Sequence, residues 1–228
     1  MEVPKLVTEI PGPKSKEIWE KEKKHITTGL APGTQMVPVV FERGEGAVLW
    51  DVDGNVFIDL AAGMLTTSTG HCHAKVVQKL KNQVGKLWHV HDFPTPDRYK
   101  VCSLLAKKTP GEITTFEFYN GGTETIEAAL RAAHSYTKKS VFLGFHGSFH
   151  GKSIGARMLM GQRNFGGPIP DAIHVPYANC YRCEFGMEYP QCNLQCAKYA
   201  ANIIKRNKDI LAAVVFEPIL GSGGVVIP

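Results

Sequence analysis

From residue 70 onward the chain alternates between two hydrophobic periods, and this alternation constrains its fold more than any other feature. Ala74 to Leu87 places Val76, Val77, Leu80, Val84 and Leu87 at helical spacing. Pro96 to Lys108 reads as a second helix, with proline at its start and Pro110 beyond its end. Thr115 to Tyr119 then reads as a strand, Thr123 to Tyr136 as a helix and Ser140 to Phe145 as a strand. Ala197 to Arg206 is a helix again, and Leu211 to Phe216 a buried strand. Strands separated by helices pair in parallel, which makes this an α/β sheet.

The segment before it has a different pattern. Residues 1–14 are rich in proline and glycine and are expected to form an extended arm. Ser15 is the expected N-cap of a helix running to about His25, with Gly29, Pro32 and Gly33 ending it. Val37 to Phe41, Ala47 to Trp50 and Val56 to Asp59 are short apolar runs. The glycine-bearing segment Arg43 to Gly46 and the turn Asp51 to Asn55 separate them. They predict a small antiparallel meander.

Composition removes several function classes. No run approaches the roughly 20 apolar residues of a spanning helix, so no membrane partner is expected. The first residues have no apolar core of a secretory signal. The charge balance is +5 with a pI near 8.8, but the basic residues form no stripe interleaved with aromatics, so nucleic-acid binding is not expected. Six cysteines without a leader point to a reducing, cytoplasmic setting and to free thiols. Cys72 and Cys102 read as packing residues.

Three strand-end segments carry the chemistry. In Phe116 to Glu127 a strand meets Gly121-Gly122-Thr123 and then a helix. Such a turn aims unpaired N–H groups and the positive end of a helix dipole at a phosphate. A capped helix, with Thr123 as cap and Glu124 to Glu127 complementing the dipole, is the plainer alternative. In Phe145 to Gly151 two glycines bracket Phe149 and His150 just past a strand. Open α/β sheets bind ligands at that edge, and an aromatic there can stack on a flat heterocycle. The alternative puts Phe149 in the core and gives His150 a backbone bond. In Val214 to Gly224 a strand ends in Glu217, a proline and a glycine-rich loop. A carboxylate there is costly to bury unpaired, unless the loop is solvated.

Taken in order, these segments resemble the class III (ornithine/4-aminobutyrate type) aminotransferases of the pyridoxal 5′-phosphate (PLP)-dependent fold type I. Trp50 to Asp59 and Gly70 to His73 carry the likeness further, so that it spans roughly residues 30–228. Ala74 stands where proline usually follows the second histidine. The resemblance implies an incomplete, mostly parallel sheet with helices on both faces, plus the small meander. Residues 1–65 would be the arm, helix and small-domain strands, and residues 66–228 the N-terminal part of the large cofactor-binding domain.

The resemblance also assigns roles. Gly122 and Thr123 would hold the cofactor phosphate, with Gly121 shaping the turn. Phe149 would stack on the pyridine ring with His150 beside it, and Glu217 would lie near the substrate pocket. Leu220 stands where many relatives are polar. His71, His73, Asp51, Asp53 and Asp59 read as scaffold. The implied reaction moves an amino group from an amino acid, ω-amino acids included, to an α-keto acid through aldimine chemistry, in a homodimer. Family members carry their Schiff-base lysine and ring-facing aspartate after the Glu-Pro-glycine segment. The chain is therefore read as an N-terminal half, inactive by itself. A PLP-dependent racemase on the same frame, or a non-catalytic half-chain that binds a phosphate ligand or a partner, are the alternatives.

One feature stands outside this pattern. Cys180, Cys183, Cys192 and Cys196 follow C-x2-C-x8-C-x3-C. Four thiolates in a short loop could hold zinc or an iron–sulfur cluster, as a cysteine pair does in some 4-aminobutyrate aminotransferases. Otherwise they are inert packing thiols.

Overall fold

A computed structural model describes residues 3–26, 37–161 and 172–228. The chain forms two compact units, Met1–Thr95 and Pro96–Pro228. Residues 66–95, which the sequence reading groups with the second part, fall in the first unit.

The first unit holds α1 (Pro13–Glu22), β1 (Phe41–Glu45), β2 (Val48–Asp51), β3 (Val56–Ile58) and α2 (Ala74–Val84). Its three strands make the expected antiparallel meander, in the order β1-β2-β3. The first strand lies later than expected, and most of Arg43 to Gly46 is strand. Glu45 pairs with Val48, so the hairpin turns on Gly46 and Ala47 alone. Gly46 makes that short turn available through its φ of +56°.

Ser15 is not the N-cap of α1. The cap is Gly12, which offers no side chain. Asp53 takes over the capping from a distance of sequence. Its Oδ1 accepts the Lys14 N–H at 2.8 Å, and its Oδ2 accepts the Ser15 N–H at 2.9 Å and the buried Ser15 hydroxyl at 2.7 Å. The Asp51–Asn55 turn is similarly tied. Asp51 accepts the Asn55 N–H at 2.7 Å and its side-chain amide at 2.7 Å, and Asn55 Oδ1 accepts Val7 and Thr8 N–H groups of the arm. His71 Nε2 meets Asp59 Oδ2 at 2.7 Å.

The second unit holds α3 (Pro96–Lys108), α4 (Gly122–Thr137), β4 (Val141–Phe145), α5 (Ile154–Met158), β5 (Ile173–Val175), α6 (Gln195–Arg206) and β6 (Leu211–Val214). Its strands form a parallel sheet in the order β5-β4-β6. Successive strand residues face opposite ways. Leu143 therefore joins Val175, Leu211 and the α6 residues Ala200, Ile203 and Ile204 in one core, while Phe142 joins Leu130 and Ile126 of α4 and Leu159 in the other. Helices cover both faces, as expected. Gly144 lets the α5 end come close: a Cβ there would collide with the Leu159 carbonyl.

Thr115 to Tyr119 is not a strand among the described residues. Its alternation suits a sheet, but a strand exists only where a neighbour offers a ladder, and the paired strands here are β5, β4 and β6. The short elements β5 and α5 escaped the sequence reading. Each is too short for its periodicity to show.

Candidate functional site

The site assembles at the carboxyl ends of β4 and β6, the edge where open parallel sheets receive ligands. The helix α4 begins with Gly121 as N-cap in extended geometry (φ −154°, ψ 161°) and without a side-chain cap. Thr123 is thus not the cap. The first-turn N–H groups lack intrahelical partners, and among the described residues no atom outside the chain neighbours and the helix's own backbone lies within 4 Å of where a Gly122 Cβ would stand. Open space faces the positive end of a sixteen-residue helix.

Thr123 is engaged sideways. Its Oγ1 accepts the Lys152 N–H at 3.1 Å, which joins the glycine turn to the loop after β4. As an acceptor in that bond, the hydroxyl still has its own proton to donate. Gly151 sits between them at φ +137°, and a Cβ there would fall on the Thr123 hydroxyl. Glycine is required here by both backbone and space.

Glu217 holds the other side of the loop. Its Oε1 accepts the Phe149 N–H at 2.8 Å, and its Oε2 accepts the Gly221 N–H at 2.9 Å. Both oxygens are thereby committed to backbone donors. The carboxylate clamps the aromatic loop to the glycine-rich loop that follows β6. Tyr177, buried beyond the end of β5, donates its hydroxyl to the carbonyls of Glu217 at 2.9 Å and Pro218 at 3.2 Å. Burial, then the Glu217 charge, push the Tyr177 phenol above its ordinary pKa.

His150 lies within this clamp. Its Nε2 is buried and has no hydrogen-bond partner among the described residues. The alternative of a backbone-bonded His150 is therefore not what forms. Burial pushes the imidazole below its ordinary pKa, and the Glu217 charge acts the other way. The net effect favours the neutral ring. A buried polar nitrogen without a partner is uncommon and marks a place where a ligand group fits.

Glu127 departs from the dipole role expected of it. It accepts the Ser153 hydroxyl and the Gly155 N–H (2.9 Å), and so caps α5 from the body of α4. Tyr177 and Glu127 were missed as site-building residues because their partners are backbone atoms far along the chain. No local spacing announces such bonds.

The four cysteines do converge, but not as a metal centre. No group of three or more His, Cys, Asp or Glu side chains among the described residues could hold a metal ion. The four thiols of the zinc or iron–sulfur expectation do not form such a group here. Cys180, Cys183, Cys192 and Cys196 instead border one small cavity with unpaired thiols. The C-x8-C stretch winds through turns and spreads the side chains around that cavity.

Comparison with known proteins agrees with this geometry. The sequence model of the aminotransferase class-III family matches residues 30–228. The chain is 33% identical to the alanine/serine racemase of Pyrococcus horikoshii, over 100% of this chain and 51% of that protein. It is 34% identical to the acetylornithine aminotransferase of Methanopyrus kandleri, over 84% of this chain and 45% of that protein. It superposes on a thermostable (S)-enantioselective omega-transaminase from Thermomicrobium roseum with a TM-score of 0.82 at 27% identity, covering 93% of this chain and 51% of that one. An amine transaminase from an uncultivated Pseudomonas species, solved in its PLP-bound form, shares the fold with a TM-score of 0.75 at 24% identity, over 83% of this chain and 46% of that one. The chain thus spans about half the length of the relatives it matches.

Proposed function

We propose that this chain, which belongs to the class-III aminotransferases, forms the phosphate-gripping and ring-holding part of a PLP-dependent enzyme that transfers amino groups between amino acids and keto acids. The observation that carries the reading is the tie between three loop segments. Thr123 is bonded to Lys152, and Glu217 to Phe149, so glycine turn, aromatic loop and carboxylate loop form one assembly.

The residues present fit the cofactor. Gly121 and Gly122 leave an uncapped helix start facing open space, which suits a phosphate dianion. Thr123 supplies a hydroxyl proton to it. Phe149, its backbone fixed by Glu217, presents an aromatic face for the ring, and the orphaned Nε2 of His150 supports a polar ligand atom beside it. When bound, PLP supplies the electron sink that makes the α-proton of an amino acid labile.

The protein's own residues position and exclude. Glu217 accepts a backbone N–H on each oxygen and so fixes the position of the aromatic loop. Tyr177 anchors the strand end that carries Glu217. Neutral His150 can share a hydrogen bond with a ligand atom without adding a charge to the pocket. The resemblance further supports a homodimer in the cytoplasm, with an N-terminal small domain to about residue 65. Sedimentation of the native protein tests the first of these.

A second reading is favoured by one relative: the racemase of Pyrococcus horikoshii matches the whole of this chain. The two are separated by acceptor dependence. With the protein as the cell makes it, amino transfer from an L-amino acid needs a keto acid, and omission of the acceptor stops it. Formation of the D-enantiomer without an acceptor would instead establish racemisation.

A further inference from the structure

The cysteine loop is not used by the reading above. It runs from the end of β5 into α6 without a strand or helix of its own, and it carries three of the chain's six cysteines, with Cys196 following in the first turn of α6. Cys180 is exposed, and Cys183, Cys192 and Cys196 are half-buried; all four are unpaired thiols. All four border a single cavity of about 20 Å³, together with Phe185 and Tyr189. That is room for little more than one water molecule. The walls are too close for an organic ligand, and no metal-ligating group forms there among the described residues. The four thiols therefore share the wall of one small cavity.

We infer that Cys180, Cys183, Cys192 and Cys196 form a reversible thiol–disulfide site, oxidised by hydrogen peroxide to two bridges within the loop. In the first step a thiol sulfur attacks peroxide and the O–O bond breaks, leaving a sulfenic acid and one water. A neighbouring thiol sulfur then attacks the sulfenic sulfur, forms the S–S bond and releases a second water. Each bridge consumes one peroxide and two thiols. The turn-rich loop can bring Cys180, Cys183 and Cys192 to the short Cβ separations that a disulfide demands, because no ladder or helix holds their backbone, while α6 fixes Cys196.

The loop is also wired to the site. Tyr177 borders the thiol cavity and holds the Glu217 and Pro218 carbonyls, and His146 beyond β4 pairs with Glu184 between the first two cysteines and the rest (3.0 Å). Bridging the loop stiffens the support of the Glu217 clamp. This inference does not rest on the cofactor reading and can fail independently of it.

The test is thiol mapping of the native protein. Trypsin cuts after Arg182 and Lys198, so Cys180 lies in peptide 164–182 and the other three in peptide 183–198. The protein is treated with hydrogen peroxide, blocked with iodoacetamide and digested. Every way of pairing four cysteines twice joins these two peptides and leaves one more bridge inside the second. The expected product is the joined pair, four hydrogens lighter than its parts, with Cys72 and Cys102 alkylated and a monomeric band on a non-reducing gel. Dithiothreitol should restore both peptides. Alkylated loop cysteines after peroxide, sulfinic acids that resist dithiothreitol, or bridges to Cys72, Cys102 or another chain would overturn the inference.

Discussion

Glu217 and Phe149 stand 68 residues apart in sequence, and the carboxylate of the first accepts the backbone N–H of the second at 2.8 Å. This bond makes the aromatic loop a rigid part of the sheet edge. Replacing Glu217 with alanine leaves the Phe149 and Gly221 N–H groups without their acceptor. Each such loss costs about 1–3 kcal/mol where water cannot substitute. Glu217→Ala should lower the melting temperature and weaken PLP binding at least tenfold, measured by thermal melting and cofactor fluorescence. Glu217→Gln, which turns one acceptor into a donor, should fall between the two. A catalytic carboxylate would instead leave cofactor affinity unchanged in both variants.

Gly151 is the tightest point between the glycine turn and the aromatic loop. Gly151→Ala adds a methyl where the Thr123 hydroxyl already sits and forces a side chain onto φ +137°. Destabilisation of about 2 kcal/mol or more is expected, with a matching fall in PLP affinity. Chemical denaturation and equilibrium dialysis measure the two effects.

The depressed pKa of His150 has a pH signature. The unfolded imidazole protonates near pH 6.5, while the folded one resists until lower pH because burial disfavours its charge. Below about pH 6.5 the unfolded state therefore binds more protons. Stability is full above that pH and falls as pH drops toward the folded value. Asp59, whose carboxyl is lowered chiefly by the His71 hydrogen bond, follows the same sign. Its loss begins only near the ordinary carboxylate range, about pH 3.9. Urea midpoints between pH 7.5 and 5 should thus decline in the native protein and flatten in His150→Gln.

Helix α4 ends on Lys138 in left-handed conformation (φ 62°), its N–H bonded to the His134 carbonyl. Glycine adopts that geometry without the Cβ penalty. Lys138→Gly should stabilise the protein by about 0.5–1 kcal/mol, read as a higher urea midpoint with unchanged cofactor affinity.

The parts of this molecule legible in the sequence are those governed by local pattern. The helices over Pro96–Lys108 and Gly122–Thr137, the strand at Val141–Phe145 and the parallel pairing all follow from hydrophobic period and chain order. Gly121, Gly122, Thr123, Phe149, His150 and Glu217 stood out because glycines and polar groups interrupt or end strand-like apolar runs. What the pattern could not show were bonds between distant segments. Asp53 caps α1 from the meander, so Ser15 looked like a cap it is not. Glu127 caps α5 and Tyr177 holds Glu217 through backbone atoms. Thr115 to Tyr119 has the composition of a strand but no partner among the described ones. The cysteines had the identity of metal ligands, and they border one cavity without forming a metal-holding group among the described residues.

The uncapped start of α4 is the proposed grip on a phosphate. Gly122 occupies the first helical position, behind an extended Gly121. Proline is well tolerated there and only removes an N–H. The decisive measurement is the affinity of the native protein for PLP and for phosphate-free pyridoxal, compared with that of Gly122→Pro. The wild type should prefer PLP by at least tenfold, and the variant should keep its melting temperature while losing most of that preference. Equal affinity of the wild type for the two compounds, or an undiminished preference in a folded Gly122→Pro, would contradict it.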